Sequence, residues 1–174
     1  MGGQLLFLDW ARRLCGWRWA EVGFNRFRLR PRELGRHLLI YLLVAIGLAY
    51  LFTGLPAMVS RSLPELLHLF LLAVAALNME ILMRGFVQGF CRARWRRGPT
   101  VLVPALLACA PLLLHQLRIW PIWLNLHDVL TLLVIFVQSL GLGLLQERYR
   151  NLWVPTLATM LYYLCCQLFH YLNW

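Results

Sequence analysis

Long apolar stretches separated by short, basic connectors dominate this chain. Each stretch is close to the roughly 20 residues that an α-helix needs to cross the hydrocarbon core of a bilayer. The five stretches cover about residues 37–59, 65–90, 99–117, 128–146 and 152–173. The pattern predicts an all-α, polytopic integral membrane protein with five transmembrane helices.

The first 36 residues have a different pattern. Apolar residues recur there at roughly helical spacing, with arginines between them: Leu5, Leu6, Leu8, Trp10, Leu14 and Trp17. This spacing predicts an amphipathic helix that lies in the membrane interface, with its tryptophans at the level of the lipid headgroups. A lipid-bound anchor and a docking arm for a protein partner both fit, and basic amphipathic segments favour the anchor. We therefore divide the chain into a basic interfacial or cytoplasmic segment, 1–36, and a transmembrane domain, 37–174.

The amino-acid composition supports the membrane assignment and affects how the positive net charge is interpreted. The chain is 61% hydrophobic, with a mean hydropathy of +0.65. All 17 basic residues are arginines, only seven residues are acidic, and the net charge is +10. Such a balance is often typical of nucleic-acid binding. Here the arginines flank apolar stretches, where they orient helices and contact anionic lipids, so we expect lipid partners and no nucleic acid.

The arginines are distributed unevenly between the two sides of the predicted bundle. Residues 1–36 hold eight and the connector 147–151 holds two, whereas the alternate connectors hold only Arg61 and Arg118. The connector 91–98 contributes four, which we treat as one basic patch: Arg92, Arg94, Arg96 and Arg97. The positive-inside rule predicts a cytoplasmic N-terminus and an external C-terminus. We expect the protein in a bacterial cytoplasmic membrane, with the patch facing the cytoplasm.

One charged pair, Glu80 and Arg84, lies inside the second apolar stretch. A charge at the centre of a membrane helix costs roughly 2.5–3.5 kcal/mol on insertion scales, so such groups pair or carry function. Residues at i and i+4 share a helical face, and Glu on the N-terminal side is the favourable order. The spacing predicts a buried ion pair that fixes helix packing.

The sequence predicts no metal ion and no cofactor. None of the five cysteines forms a Cys-x-x-Cys motif, which excludes the common zinc and redox arrangements. His127 and Asp128 are adjacent, but two ligands are too few for a metal site, and Asp128 is better interpreted as a helix N-cap.

Four motifs follow one another along residues 71–166, and together they resemble a known family. They are Met79-Glu80-Ile81-Leu82-Met83-Arg84-Gly85, Pro111-Leu112-Leu113-Leu114-His115, Gly141-Leu142-Gly143-Leu144-Leu145-Gln146-Glu147-Arg148, and Leu152-Trp153-Val154-Pro155. Their order and spacing resemble the CPBP family, also called Abi or type II CAAX prenyl endopeptidases, which are intramembrane proteases. The resemblance implies a glutamate-dependent site in which Glu80 and His115 are the remnants of the catalytic set.

The departures from the family pattern fall where the chemistry should be. The family's first motif begins with two glutamates, and its last motif contains a His followed by an Asn four residues later. The matching positions here are Met79, Thr159 and Tyr163. A thioether cannot accept a proton from water, and losing one positioned acid–base group typically costs 10²–10⁴-fold in rate. We therefore favour a non-enzymatic role.

Three functions remain open from the sequence. The first is a catalytically degenerate CPBP-like protein that binds or stabilises another membrane protein. The second is an active intramembrane endopeptidase with a reduced site built on Glu80 and His115. The third is a subunit that handles a lipid or small substrate in the old protease cavity. An enzyme requires Glu80 and His115 near one water, whereas a scaffold requires a cavity filled by side chains such as Met79 and Tyr163.

Overall fold

The computed structural model describes residues 31–52, 65–95, 97–118 and 126–172, together with Asp9, Arg13 and Gly16. The predicted interfacial helix falls almost entirely outside these residues. Every long described segment is helical, and none of them contains a strand.

The helices follow the predicted apolar stretches. Their bounds are α1 Pro31–Phe52, α2 Glu65–Glu80, α3 Gln88–Arg94, α4 Arg97–Arg118, α5 Leu126–Tyr149 and α6 Trp153–Leu172, with a π-helical segment, Ile81–Val87, joining α2 to α3. Among the described helices, α1 and α5 are long and apolar enough to cross a membrane, and α4 and α6 contain shorter apolar stretches. The prediction of an all-α membrane protein is confirmed.

The first helix begins six residues before the predicted stretch, at Pro31. Proline is favoured at the first helical position because its fixed φ suits the helix and its missing N–H has no intrahelical acceptor there. Glu33 adds a negative charge to the first turn, where it complements the helix dipole. A proline and an acidic residue in the first described turn of α1 are both typical of the start of a helix.

Helix α5 is central to the bundle and packs against α1, α4 and α6. Two glycines let it approach its neighbours closely. A Cβ atom built on Gly143 would lie 2.8 Å from Val101 Cγ1 of α4, and one on Gly141 would lie 3.0 Å from the Tyr41 ring of α1. Small residues allow such close helix contacts in membranes, where packing drives association.

A tight turn returns the chain from α5 to α6. Arg150 has a left-handed φ of 47°, and its N–H donates to the Gln146 carbonyl at 2.8 Å. The Asn151 side-chain oxygen accepts the Trp153 N–H at 3.0 Å, which satisfies a donor in the first turn of α6. Pro155 is the third residue of that helix, where its missing N–H removes no hydrogen bond. The turn places α6 beside α5 and brings Thr159 toward Glu80.

Candidate functional site

The helix that carries Glu80 changes geometry immediately after it. Residues Ile81–Val87 are π-helical, and the Gln88 N–H donates to the Met83 carbonyl, five residues back. π-Helical segments commonly occur at functional sites because the wider turn redirects side chains. Arg84 lies within this segment and is 2% exposed, while Glu80 precedes it and is 4% exposed.

Glu80 and Arg84 form the centre of a buried polar cluster that connects α2 and the π segment to α5 and α6. Arg84 Nε lies 3.4 Å from Glu80 Oε2, both side chains being nearly inaccessible. Arg84 Nη2 donates to the Ser139 carbonyl at 2.8 Å and approaches the Ser139 hydroxyl at 2.6 Å. From α6, the Thr159 hydroxyl donates to Glu80 Oε1 at 3.0 Å. The cluster therefore fastens the π segment to α5 and α6.

Some hydrogen-bonding capacity in this cluster is unused. Glu80 Oε2, Arg84 Nε and Arg84 Nη1 are buried and have no hydrogen-bond partner among the described residues. The contact between Glu80 and Arg84 is thus electrostatic at 3.4 Å, without a well-directed hydrogen bond. A buried donor or acceptor without a partner costs free energy, so water or a ligand that reaches these atoms gains from pairing with them.

A cavity of about 580 Å³ adjoins the cluster. Its walls include all five residues that the sequence singles out on α2, the π segment and α6: Met79, Glu80, Arg84, Thr159 and Tyr163. Further polar side chains that the motif comparison does not identify also line it: His127, Thr131, Gln138, Ser139 and Tyr162. These lie at helical spacing on one face of α5 or next to Tyr163, and this periodicity is the signal that could have found them.

The cavity brings together motif positions that are as far apart in the sequence as Met79 and Tyr163. Comparison with protein-family models matches residues 61–165 to "Type II CAAX prenyl endopeptidase Rce1-like", which is more than half of the chain. The chain belongs to the Rce1-like family. Neither the curated proteins nor the solved structures contain a match.

Adjacent positions in the first Rce1-like motif have different environments. Met79 is 46% exposed, whereas Glu80 is 4% exposed and lies in the cluster. Successive residues of an α-helix point about 100° apart, so the carboxylate of Glu80 cannot take the direction of the side chain at 79. The position that resembles the family's first glutamate therefore presents a thioether to the cavity.

His115 is in the last turn of α4, three residues before the helix ends at Arg118. Its side chain lies outside the described part of the structure, so its proposed catalytic partnership with Glu80 stays a prediction. His127 occupies the first turn of α5 and lines the cavity. Asp128 follows in the same turn, so it lies inside the helix and not at the N-cap position that the sequence suggested. In the described residues, no group of three His, Cys, Asp or Glu side chains could hold a metal.

A second polar cluster lies toward the arginine-rich end of this Rce1-like bundle. Gln88 Nε2 donates to the Gly143 carbonyl and to Glu147 Oε1, each at 3.0 Å. Arg92 Nη2 lies 2.6 Å from Glu147 Oε1. Arg92 is thus paired, whereas Arg94 is exposed, and the side chains of Arg96 and Arg97 lie outside the described part. The apolar pattern gave no sign of the Gln88–Glu147 contact.

Proposed function

We propose that this Rce1-like protein is catalytically inactive and acts by binding another membrane protein. The observation that carries the proposal is the state of Glu80. Thr159, at the position that resembles the family's second histidine, donates its hydroxyl to one oxygen of Glu80, and Arg84 lies against the other. A general base needs a lone pair directed at the water that it deprotonates. Here Oε1 accepts the Thr159 hydroxyl and Oε2 is buried beside Arg84, so the carboxylate holds α2 against α6 and neither oxygen is exposed to a water in the cavity.

The residues that should complete the chemistry are also absent from their expected positions. Met79 offers no proton acceptor, and Thr159 offers no imidazole. An oxyanion requires donors fixed near the place where charge develops. The Thr159 hydroxyl is already used by Glu80, so it is not available to a tetrahedral intermediate.

Met79 and Tyr163 line the cavity but do not fill it, contrary to what the sequence led us to expect of a scaffold, so we place the partner inside the cavity. The cavity has a volume of about 580 Å³ and mostly apolar walls, to which His127, Thr131 and Gln138 add polar side chains that are not fully buried. A transmembrane segment with a polar side chain would gain hydrogen bonds there, since polar residues between helices stabilise association in membranes. We expect a partner of this kind, with the cytoplasmic arginines contacting anionic lipid or acidic residues beside its membrane segment.

A peptidase assay tests the inactive state. Purified protein in lipid nanodiscs is incubated with a fluorogenic prenylated peptide, beside Glu80→Ala and His115→Ala. We expect all three to give the same background rate. Cleavage by the wild-type protein that Glu80→Ala abolishes, with folding intact by thermal unfolding, would overturn the proposal.

Site-specific crosslinking tests the binding role. A photoreactive amino acid at position 79, on the cavity wall, should capture a discrete membrane-protein partner in native membranes. Ala75→Trp should abolish the crosslink because it places a large ring in the cavity that Ala75 lines. Ala93→Trp, an exposed change on α3 away from the cavity wall, should leave it intact. Equal crosslinking in both variants would contradict binding in the cavity.

A second candidate function, a reduced endopeptidase, is favoured by one observation. His127 lines the same cavity as Glu80, so an imidazole is available from α5 although Thr159 replaces the family's histidine. In the peptidase assay this alternative requires activity that is lost in His127→Ala and retained in His37→Ala, a half-buried histidine that does not line this cavity, provided that both variants stay folded.

We also propose that the N-terminus is cytoplasmic. The contacts of Arg92 with Glu147 and of His37 with Tyr149 support this, because they place the start of α1 and the arginine-rich end of α3 beside the end of α5. With cysteine-free protein, a membrane-impermeant thiol reagent should label Trp95→Cys only from inside and Trp174→Cys only from outside. The reverse labelling would contradict this orientation.

A further inference from the structure

A second and larger recess lies on another side of α5, between α1 and α4. It has a volume of about 1130 Å³. We call it the lateral groove. Tyr41 and Gln138 line both the groove and the Glu80 cavity, but none of the cluster residues Glu80, Arg84 or Thr159 reaches the groove. It is therefore a separate feature, and the proposed function does not use it.

The walls of the lateral groove are aliphatic and open to the surroundings of the bundle. They include Ile40, Val44, Leu102 and Leu144, each of which is about half exposed or more. On α5 the groove extends from Val137 to Arg148, a rise of about 16 Å along the helix axis. The hydrocarbon core of a bilayer is about 30 Å thick, so the groove is about as deep as one leaflet.

The rim at one end of the groove is polar and basic. His37, Glu147, Arg148 and Arg150 line it. The carboxylate of Glu147 accepts hydrogen bonds from Arg92 and Gln88, so a cation outside the groove already balances its charge. The positive charge that the rim offers a ligand is then that of Arg148, which is exposed. The groove is therefore complementary to a single anionic phospholipid. Its aliphatic wall, one leaflet deep, matches an acyl chain, and its cationic rim matches the phosphate.

We propose that the lateral groove binds one anionic phospholipid, with an acyl chain along α5 and the phosphate at the Arg148 rim. Two observations fix this occupant. The depth of the groove fits a chain that starts at the interface, and the rim has the charge that a phosphodiester requires. A zwitterionic lipid satisfies the first condition only. A transmembrane helix would need a groove that continues through both leaflets.

Native mass spectrometry tests the proposal with two probes of identical acyl chains, phosphatidylglycerol and phosphatidylcholine. The protein is purified in mild detergent and titrated with each lipid. We expect the first phosphatidylglycerol to bind about five-fold more tightly than phosphatidylcholine, the ratio that corresponds to one basic residue near an anionic surface. Equal affinities would overturn the proposal.

Two pairs of variants locate the lipid. Arg148→Ala should remove the preference for phosphatidylglycerol, Arg148→Lys should keep it, and Arg94→Ala, an exposed control that does not line the groove, should also keep it. Gly98→Leu should weaken both lipids several-fold, because Gly98 lines the groove and a Cβ there meets no atom within 4 Å. Gly47→Leu, equally unobstructed but not on the groove wall, should bind as the wild-type protein does.

The contrary outcomes are specific. A preference that survives Arg148→Ala would place the headgroup elsewhere, and a preference lost equally in Arg94→Ala would reduce the effect to net charge. Unchanged lipid affinity in Gly98→Leu would exclude the groove as the site of the chain. Glycerol phosphate, which has the phosphate without chains, should not compete at concentrations that saturate phosphatidylglycerol, and effective competition would assign the rim to a free phosphate. Thermal unfolding in the same detergent shows that each variant is folded.

Discussion

Glu80→Gln should lower the free energy of unfolding by about 3–5 kcal/mol, because it leaves the Arg84 guanidinium buried without its counter-charge. The glutamine amide has nearly the same shape as the carboxylate and its oxygen can still accept the hydrogen bond from the Thr159 hydroxyl. The decrease in the free energy of unfolding therefore measures the loss of the negative charge. Equilibrium unfolding in mild detergent, followed by tryptophan fluorescence, measures the change. Glu33→Gln, an exposed change in the first turn of α1, is the matched control and should stay within about 0.5 kcal/mol of the wild-type protein.

The structure also predicts how the charge reversal behaves. From the sequence, exchanging the two charges should restore part of the stability. Arg84, however, donates to the Ser139 carbonyl, and a carboxylate at position 84 would face that carbonyl without a proton to donate. Glu80→Arg with Arg84→Glu should therefore be no more stable than Glu80→Gln. If Glu80→Gln or the exchanged pair unfolded at the same denaturant midpoint as the wild-type protein, the ion pair would be dispensable for folding. That result would favour a solvated, catalytic Glu80.

Gly143→Ala should destabilise the bundle by about 1–3 kcal/mol, the usual cost of overpacking. The new methyl group would lie 2.8 Å from Val101 Cγ1, and a β-branched side chain on a helix has little rotamer freedom to move away. Gly47→Ala, which meets no atom within 4 Å, is the control and should be neutral or slightly stabilising.

A double-mutant cycle shows whether the contact itself is responsible. Val101→Ala removes the obstructing Cγ1, so Gly143→Ala should cost little in that background. The interaction energy between the two changes should reach at least about 1 kcal/mol, within the range for residues in contact. Strict additivity would mean that Gly143 matters for backbone conformation and not for the approach of α4 to α5.

The main architecture is predictable from the sequence because hydrophobic stretches of about 20 residues have few alternatives in a membrane. The spacing of Glu80 and Arg84 also indicates their common face. The partners of these charges are not predictable in the same way. Ser139 is an unremarkable serine in an apolar helix, and Arg84 uses its backbone carbonyl, which leaves no trace in sequence. Contacts of this kind, between residues far apart in the sequence, can be predicted only when the position of α5 in the bundle is known.

The π-helical segment is a second feature that hydropathy does not reveal. Nothing in Ile81–Val87 distinguishes it from an ordinary apolar helix, since one altered hydrogen-bond register changes no periodicity over so short a stretch. The matched motifs, in contrast, predicted the family correctly, because their order and spacing depend on the whole arrangement of helices. That the site departs from the family's chemistry at Met79 and Thr159 stays a prediction from the sequence.

The hydrogen bond from Thr159 to Glu80 makes the path back to an active peptidase dependent on the order of its steps. Thr159→His alone exchanges a donor that supports a buried carboxylate for a larger ring in the same place. Met79→Glu alone adds a second carboxylate next to one that a single arginine serves. We expect neither single step to gain catalysis, and we expect Thr159→His to weaken the packing of α2 against α6. If the site is inactive as we propose, a return to the family's chemistry would therefore need Thr159→His and its neighbouring changes to occur together, because Thr159→His alone would lower stability.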